Sequence, residues 1–338
     1  MTGNPSAIIA FGSITRRDLR VRTESVVSSI SVVIPIFNSA ALLPELVERL
    51  EAVLGGLTHN HEIVLINDGS SDSSWEVVQS LAGEYKSVHG LDLMRNYGQH
   101  SALLAGVRAA RGDIIVTLDD DLQHPPEEIP ALIAKLNEGF DVVYGAAASE
   151  QHGFWRDMAS RATKFVLRTA MGVQNAARVS AFRAFRTSIR GAFSDYRSSF
   201  VSLDVLLAWG TSHFTAVTVR HDPRKAGRSN YSTAQLVRYA MTLVTGFSTL
   251  PLQFASIVGF AFTVMGLIVL AYVVGRYMIQ GRVVPGFAFL ASIIAIFSGA
   301  QLFALGIIGE YLARMHFRLM ERPPYAIRTE VGGEPTAT

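Results

Sequence analysis

Between Arg238 and Arg276 the chain carries no Asp, Glu, Lys or Arg, and it carries none between Arg282 and Glu310. No other feature constrains its fold so strongly. Within the first gap, residues 254–274 (FASIVGFAFTVMGLIVLAYVV) are almost wholly apolar. As a helix rising about 1.5 Å per residue they cover roughly 30 Å, the hydrocarbon thickness of a bilayer. Residues 287–308, in the second gap, form a stretch of similar length. The soluble alternative is a pair of buried core helices, but two long uncharged stretches in tandem favour two membrane spans. The short connection 275–286 makes them a hairpin with both flanks on one side.

Charge orients the hairpin. Arg220, Arg224, Lys225, Arg228 and Arg238 precede it, and Arg314, Arg318, Arg322 and Arg328 follow it. The connection holds only Arg276 and Arg282. By the positive-inside rule both termini and the N-terminal domain are expected in the cytoplasm, in a multi-pass protein of the inner or plasma membrane. Residues 7–14 are apolar but few, and no basic residue precedes them. Residues 1–27 therefore read as a loosely ordered N-terminal extension rather than a signal peptide. Before the first span, Leu236, Ala240, Leu243, Phe247 and Leu250 recur at steps of four and three. Arg238, Thr242, Thr245 and Thr249 fall on the other face. Residues 231–250 are thus expected as a juxtamembrane amphipathic helix with Ser232 as N-cap. It would lie in the bilayer interface or pack on the soluble domain.

Composition agrees with a membrane protein. Of 338 residues, 49% are apolar and 17% charged, below the roughly 25% charged of an average soluble domain. A mean hydropathy of +0.28 argues against intrinsic disorder and against a wholly soluble chain. The absence of cysteine excludes a disulfide scaffold, a thiolate metal site and a Cys nucleophile. The net charge of +2 hides a segregation: residues 28–155 hold 6 basic and 18 acidic side chains, and residues 156–238 hold 14 and 4. Carboxylates of the first part can hold a cation. Cations of the second can hold phosphate or an anionic membrane surface.

Residues 29–145 alternate strand and helix patterns. Strands are expected at 30–36, 62–66, 88–93, 113–118 and 141–144, and helices at 43–54, 74–85, 101–110 and 126–137. This order implies an α/β domain with an open, mostly parallel sheet and helices on both faces. Ligands bind such sheets outside the carboxyl ends of the strands. Polar motifs fall at those ends: Asn38, Asp68, Arg95 with Asn96, and Asp119, Asp120 and Asp121. Adjacent carboxylates after a buried strand are costly unless a hard cation such as Mg²⁺ or Mn²⁺ neutralises them. An acidic turn capping the next helix is the alternative. Asp68, in Asn-Asp-Gly-Ser, also fits ordinary turn chemistry.

These motifs resemble a known family. Val33-Ile34-Pro35-Ile36-Phe37-Asn38, Ile66-Asn67-Asp68-Gly69-Ser70, Arg95-Asn96-Tyr97-Gly98 and the string from Leu118 to Glu127 (LDDDLQHPPE) are similar to those of family 2 glycosyltransferases of the GT-A fold. The branch they resemble is that of the polyprenyl-phosphate transferases, which includes dolichol-phosphate mannose synthases and undecaprenyl-phosphate sugar transferases. The resemblance runs from about residue 31 to residue 310. It implies a Rossmann-like GT-A domain over 28–230, two transmembrane helices over 251–310 and a basic cytoplasmic tail over 311–338. It implies that Asp119, Asp121 and Gln123 bind Mg²⁺ or Mn²⁺ and, through it, the donor diphosphate. Pro35, Phe37, Asn38, Asp68 and Arg95 would receive the nucleotide. Arg156 would hold the acceptor phosphate, and Arg224, Lys225 and Arg228 would contact donor or acceptor phosphates, with Asp119, Asp121, Arg156 and Arg228 carrying the catalysis.

The implied partners are a nucleotide-sugar donor, a polyprenyl phosphate acceptor, the bilayer and further copies of the chain, but no nucleic acid. The implied reaction is a metal-dependent, inverting sugar transfer. The nucleotide it implies is uridine, with guanosine open. Ala147 stands where the family commonly has Arg. No acidic residue precedes Phe182, where many members carry one. The Ser-x-x-Arg-Ala-Phe-Arg pattern at 180–186 resembles the aminoarabinose-type transferases. A processive polysaccharide synthase would need a longer membrane section and a Gln-x-x-Arg-Trp motif, which the chain lacks. A membrane-anchored nucleotide-sugar binder without catalysis is the reading from another class.

Overall fold

The computed structural model describes residues 29–147, 179–198, 200–222, 250–280 and 286–333. The N-terminal extension and the juxtamembrane helix up to residue 249 lie outside the described residues. The elements run β1 (Ile30–Ile36), α1 (Leu43–Gly55), β2 (His61–Asn67), α2 (Ser74–Glu84), β3 (Val88–Leu93), α3 (Gln99–Ala109) and β4 (Ile114–Thr117). A 3₁₀ turn (Pro126–Glu128) leads into α4 (Ile129–Asn137), then β5 (Val142–Ala147) and β6 (Arg183–Arg186). α5 (Leu203–Gly210) and β7 (Phe214–Val219) complete the soluble domain. Two long helices follow, α6 (Leu250–Gln280) and α7 (Phe287–Leu319), and then β8 (Ile327–Val331).

The strands form one sheet in the order β7-β5-β6-β4-β1-β2-β3-β8. β1 pairs in parallel with β2 and with β4, and β2 with β3. β6 is antiparallel to both β4 and β5, so the sheet is mixed toward that side. Every residue of β1 is buried, because helices cover both faces of the sheet. Val32, Ile34 and Ile36 belong to one core cluster with Leu46, Val47 and Leu50 of α1 and Leu132 and Leu136 of α4. Val33, Val64 and Ile66 face Ala102, Leu103 and Val107 of α3. A parallel strand buried on both faces reads as a continuous apolar run rather than an alternation, which is why ISVVIPI is legible as a strand. α3 approaches so closely that a Cβ on Gly106 would lie 2.4 Å from Val33 Cγ1.

The apolar segments Pro251–Ile279 and Ile296–His316 are largely unburied, with Ala255 an exception. Phe260 and Met278 are among the most exposed side chains of the protein. Core helices would hide such residues, so the two helices fit a transmembrane hairpin. α6 and α7 touch through Phe262 and Phe297, rings 5.7 Å apart, with Gly266 giving Phe297 room. Residues 311–338 are more than a basic tail. α7 continues to Leu319, and β8 then pairs antiparallel with β3, Gly90 opposite Val331 and Asp92 opposite Thr329. The chain that leaves the soluble domain for the membrane segment therefore returns to the same sheet.

Candidate active site

β1 has β2 on one side and β4 on the other, and connections diverge at that point. The crevice at the carboxyl ends of β1 and β4 is the place where such a sheet takes a ligand. Four loops meet there, and hydrogen bonds lock each to a neighbour.

The loop after β1 is tied to the loops after β2 and β4. Asn38, at φ 56°, donates its backbone N–H to Ser70 Oγ (3.1 Å) and accepts the Ser71 N–H on Oδ1 (2.8 Å). The Phe37 N–H donates to Asp120 Oδ2 (3.1 Å), and the Ser39 hydroxyl donates to the same oxygen. Burial pushes the Asp120 carboxyl above its ordinary pKa, against the pull of these two bonds. Asp120 is thus a structural pin between the loops after β1 and β4.

Asp68 is buried, and its two oxygens accept the N–H groups of Tyr97 (2.7 Å) and Gly98 (2.9 Å). Burial raises its pKa, and the two bonds oppose that rise. The carboxylate holds the loop after β3 against the loop after β2. Gly69 is required beside it: its φ is +66°, and a Cβ would lie 2.5 Å from the Asn96 nitrogen. Arg95, exposed, stacks over the Tyr97 ring at 4.4 Å. Phe37 is exposed at the crevice, whereas Pro35 is buried within β1 opposite Ile66.

The loop after β4 carries the other carboxylates. Asp119 Oδ1 accepts from Gln99 Nε2 (2.6 Å) at the start of α3. Asp121 is buried and accepts the Gln123 N–H (3.1 Å). Between them Leu122, at φ 58°, buries its side chain in the core. A branched aliphatic residue there is strained by about 1–3 kcal/mol, and such strain clusters at ligand sites. The Gln123 carbonyl accepts the Asp222 N–H (2.8 Å), and the His124 ring meets His221 edge-on at 4.9 Å. Burial, helped by His221, lowers His124 to about 4. His221 and Asp222 thus lie against the loop after β4. Arg156, Arg224, Lys225 and Arg228 themselves lie outside the described residues.

Among the described residues no three His, Asp or Glu side chains form a metal cage. Asp119, Asp121 and the Gln123 amide offer hard oxygen donors within five residues. That donor set fits Mg²⁺ or Mn²⁺, which takes one or two carboxylates and completes its shell with water and substrate phosphate.

Beneath this motif lies a polar cluster that sequence reasoning missed. Arg183 and Asp204 form a buried ion pair, and the Tyr144 hydroxyl donates to Asp204 Oδ1 (3.0 Å). Burial acts against the Arg183 charge, but Asp204 and Tyr144 more than offset it, with a further contribution from Asp119. A charged residue in the apolar string LDVLLAW was the available signal for Asp204. Gln99 carried no signal of its own.

Comparison with known proteins decides the family. Residues 31–195 match the family described as glycosyl transferase family 2. Undecaprenyl-phosphate 4-deoxy-4-formamido-L-arabinose transferase of Pseudomonas savastanoi pv. phaseolicola is 36% identical over 305 residues, covering 89% of this chain and 90% of the relative. The transferase of the same description from Yersinia enterocolitica is 37% identical over 317 residues, covering 92% and 96%. The chain belongs to glycosyltransferase family 2. A crystal structure of glucosyl-3-phosphoglycerate synthase from Mycobacterium tuberculosis, in complex with Mn²⁺, uridine diphosphate and phosphoglyceric acid, covers 64% of this glycosyltransferase and 76% of its own chain, with 19% identity and a TM-score of 0.47.

Proposed function

We propose that this glycosyltransferase moves a sugar from a nucleotide diphosphate donor, read as a UDP-sugar, to a polyprenyl phosphate such as undecaprenyl phosphate. The observation that carries the reading is one chain joining a four-loop crevice with oxygen donors to a hairpin of unburied apolar helices. The curated relatives, alike over nine-tenths of the chain, support it. Their names nominate 4-deoxy-4-formamido-L-arabinose as the first sugar to assay.

The acceptor is a phosphate monoester with a second pKa of roughly 6. It is anionic at neutral pH and needs no strong general base. Its oxygen attacks the anomeric carbon, the bond from that carbon to the diphosphate breaks, and the configuration inverts. A divalent cation held by Asp119, Asp121 and Gln123 would supply positive charge for the leaving diphosphate. Pro35, Phe37, Asn38, Asp68 and Arg95 shape the nucleotide side. Arg156, Arg224, Lys225 and Arg228 are proposed to grip the phosphates and hold the reactants in line. The test is transfer of radiolabelled sugar into chloroform-soluble lipid. A protein that binds UDP or GDP but transfers from neither class of donor would be a non-catalytic scaffold.

The same assay separates grip from membrane attraction. Arg228→Ala should lose about tenfold to a hundredfold in rate in neutral detergent, as a charge-assisted phosphate contact is lost. Arg238→Ala should lose little there. Equal, small losses confined to anionic membranes would make the segment a surface anchor only.

Both flanks of the hairpin are proposed on the cytoplasmic side. The arginine distribution favours that side, and the β3–β8 pairing supports a common side for the two flanks. Tags at both termini should resist protease in intact cells. Cleavage of the C-terminal tag alone would overturn the topology.

A further inference from the structure

The segment that returns from the membrane hairpin reaches two loops of the crevice through one residue. In the β3–β8 pairing, Asp92 stands opposite Thr329 and Leu93 opposite Ile327, so Arg328 is the extra residue of a bulge. Bulges re-aim a side chain, and here the Arg328 guanidinium turns along β3. Its Nη2 donates to the Met94 carbonyl (2.8 Å), and its Nη1 lies 3.4 Å from Asp92 Oδ2. The Met94 N–H donates to the Ala326 carbonyl (2.9 Å), so both backbone groups of Met94 are held by the returning segment.

Met94 directly precedes Arg95-Asn96-Tyr97-Gly98, whose last two N–H groups are bonded to Asp68. Asp92 accepts from Asn67 Nδ2 (2.7 Å), and Asn67 Oδ1 accepts the Ser70 N–H (3.3 Å). Arg328 is therefore linked to the loop after β3 through Met94 and to the turn after β2 through Asp92. Its ion pair with Asp92 is more than half exposed on the arginine side, and such a pair alone is worth little. What a guanidinium adds is a planar fork that reaches a carbonyl and a carboxylate at once, which an ammonium does not.

We propose that Arg328 is a positioning residue that sets the loop 95–98 for binding the nucleotide donor. Donor affinity then depends on the chain's return from the membrane to the sheet. The proposal rests on the reading above that this loop receives the donor.

The test uses the full chain in neutral detergent, comparing wild type with Arg328→Ala and Arg328→Lys. Hydrogen exchange needs no substrate. Arg328→Ala should speed exchange of the Tyr97 and Gly98 amides about tenfold, while the amides shared by β1 and β2 keep their protection. Equilibrium dialysis with UDP and with GDP, each with Mn²⁺, should show about tenfold weaker binding of the nucleotide the wild type prefers. In turnover the donor KM should rise about tenfold, with kcat and the acceptor KM within twofold of wild type. Arg328→Lys should restore part of each loss.

Uniformly faster exchange across β3 and β8 with a lower melting temperature would reduce Arg328 to a strand clip and overturn the proposal. Faster exchange at 97–98 with unchanged nucleotide binding would overturn it too. A wild type that binds neither nucleotide would instead remove the donor reading, while the exchange result would still judge the link between Arg328 and the loop.

Discussion

Asp121→Asn is expected to lower sugar transfer by at least about a thousandfold, and EDTA to silence the wild type. The substitution keeps the size and planarity of the side chain, and an amide oxygen can still accept the Gln123 N–H that Asp121 holds at 3.1 Å. The turn through Leu122 and the core beneath it should therefore survive. What disappears is one negative charge of the proposed metal site. A cation that neutralises a leaving diphosphate contributes several kcal/mol to the transition state, and each 1.36 kcal/mol is tenfold in rate. The measurement is transfer by wild type and variant with and without EDTA, beside thermal melting in the same detergent. Matching melting curves with lost activity support the metal reading. Full wild-type activity in EDTA would remove it.

The parts of the fold that could be read in the sequence are those whose burial repeats a simple rule. β1 and most of β2 lie between two layers of helices and appear as apolar runs. The hairpin helices leave most of their apolar side chains exposed, and they appear as long uncharged stretches. β8 obeys neither rule. Its sequence, Ile-Arg-Thr-Glu-Val, is mostly exposed and sits at the sheet edge. Only its partner β3 makes it a strand, because β preference is largely a matter of neighbours.

The site was legible in its position but less so in the tasks of its residues. The motifs at the ends of β1, β2, β3 and β4 lie on loops joined to one another by hydrogen bonds. Which way each carboxylate turns was hidden, because three consecutive aspartates look alike in one dimension. Asp120 serves the frame. Asp68 has each oxygen occupied by a backbone N–H, so turn chemistry and site architecture are here one function. The Arg183–Asp204 pair escaped because its members are 21 residues apart and meet only after β6 and α5 pack together.

Asp204→Ala should be among the most destabilising single changes in the soluble domain. Arg183 is about 2% exposed and sits with Asp204 and Tyr144 beneath the β4 motif. Removing the carboxylate leaves a guanidinium charge uncompensated in the interior, a loss of roughly 3–5 kcal/mol. Apparent melting temperature in detergent should fall by about 2–4 °C per kcal/mol. The double variant Arg183→Met/Asp204→Leu removes both charges and fills similar volume, and such replacements are often neutral or stabilising. It should recover most of the lost stability. The double variant also removes the positive charge nearest to Asp119 within the cluster, so it separates two tasks of the pair. Recovered stability with wild-type metal dependence would make the pair a packing device. Recovered stability with a lower Mn²⁺ requirement is the expected result, because the Gln99 bond to Asp119 remains while the cation beside Asp119, which repels a metal ion there, is gone.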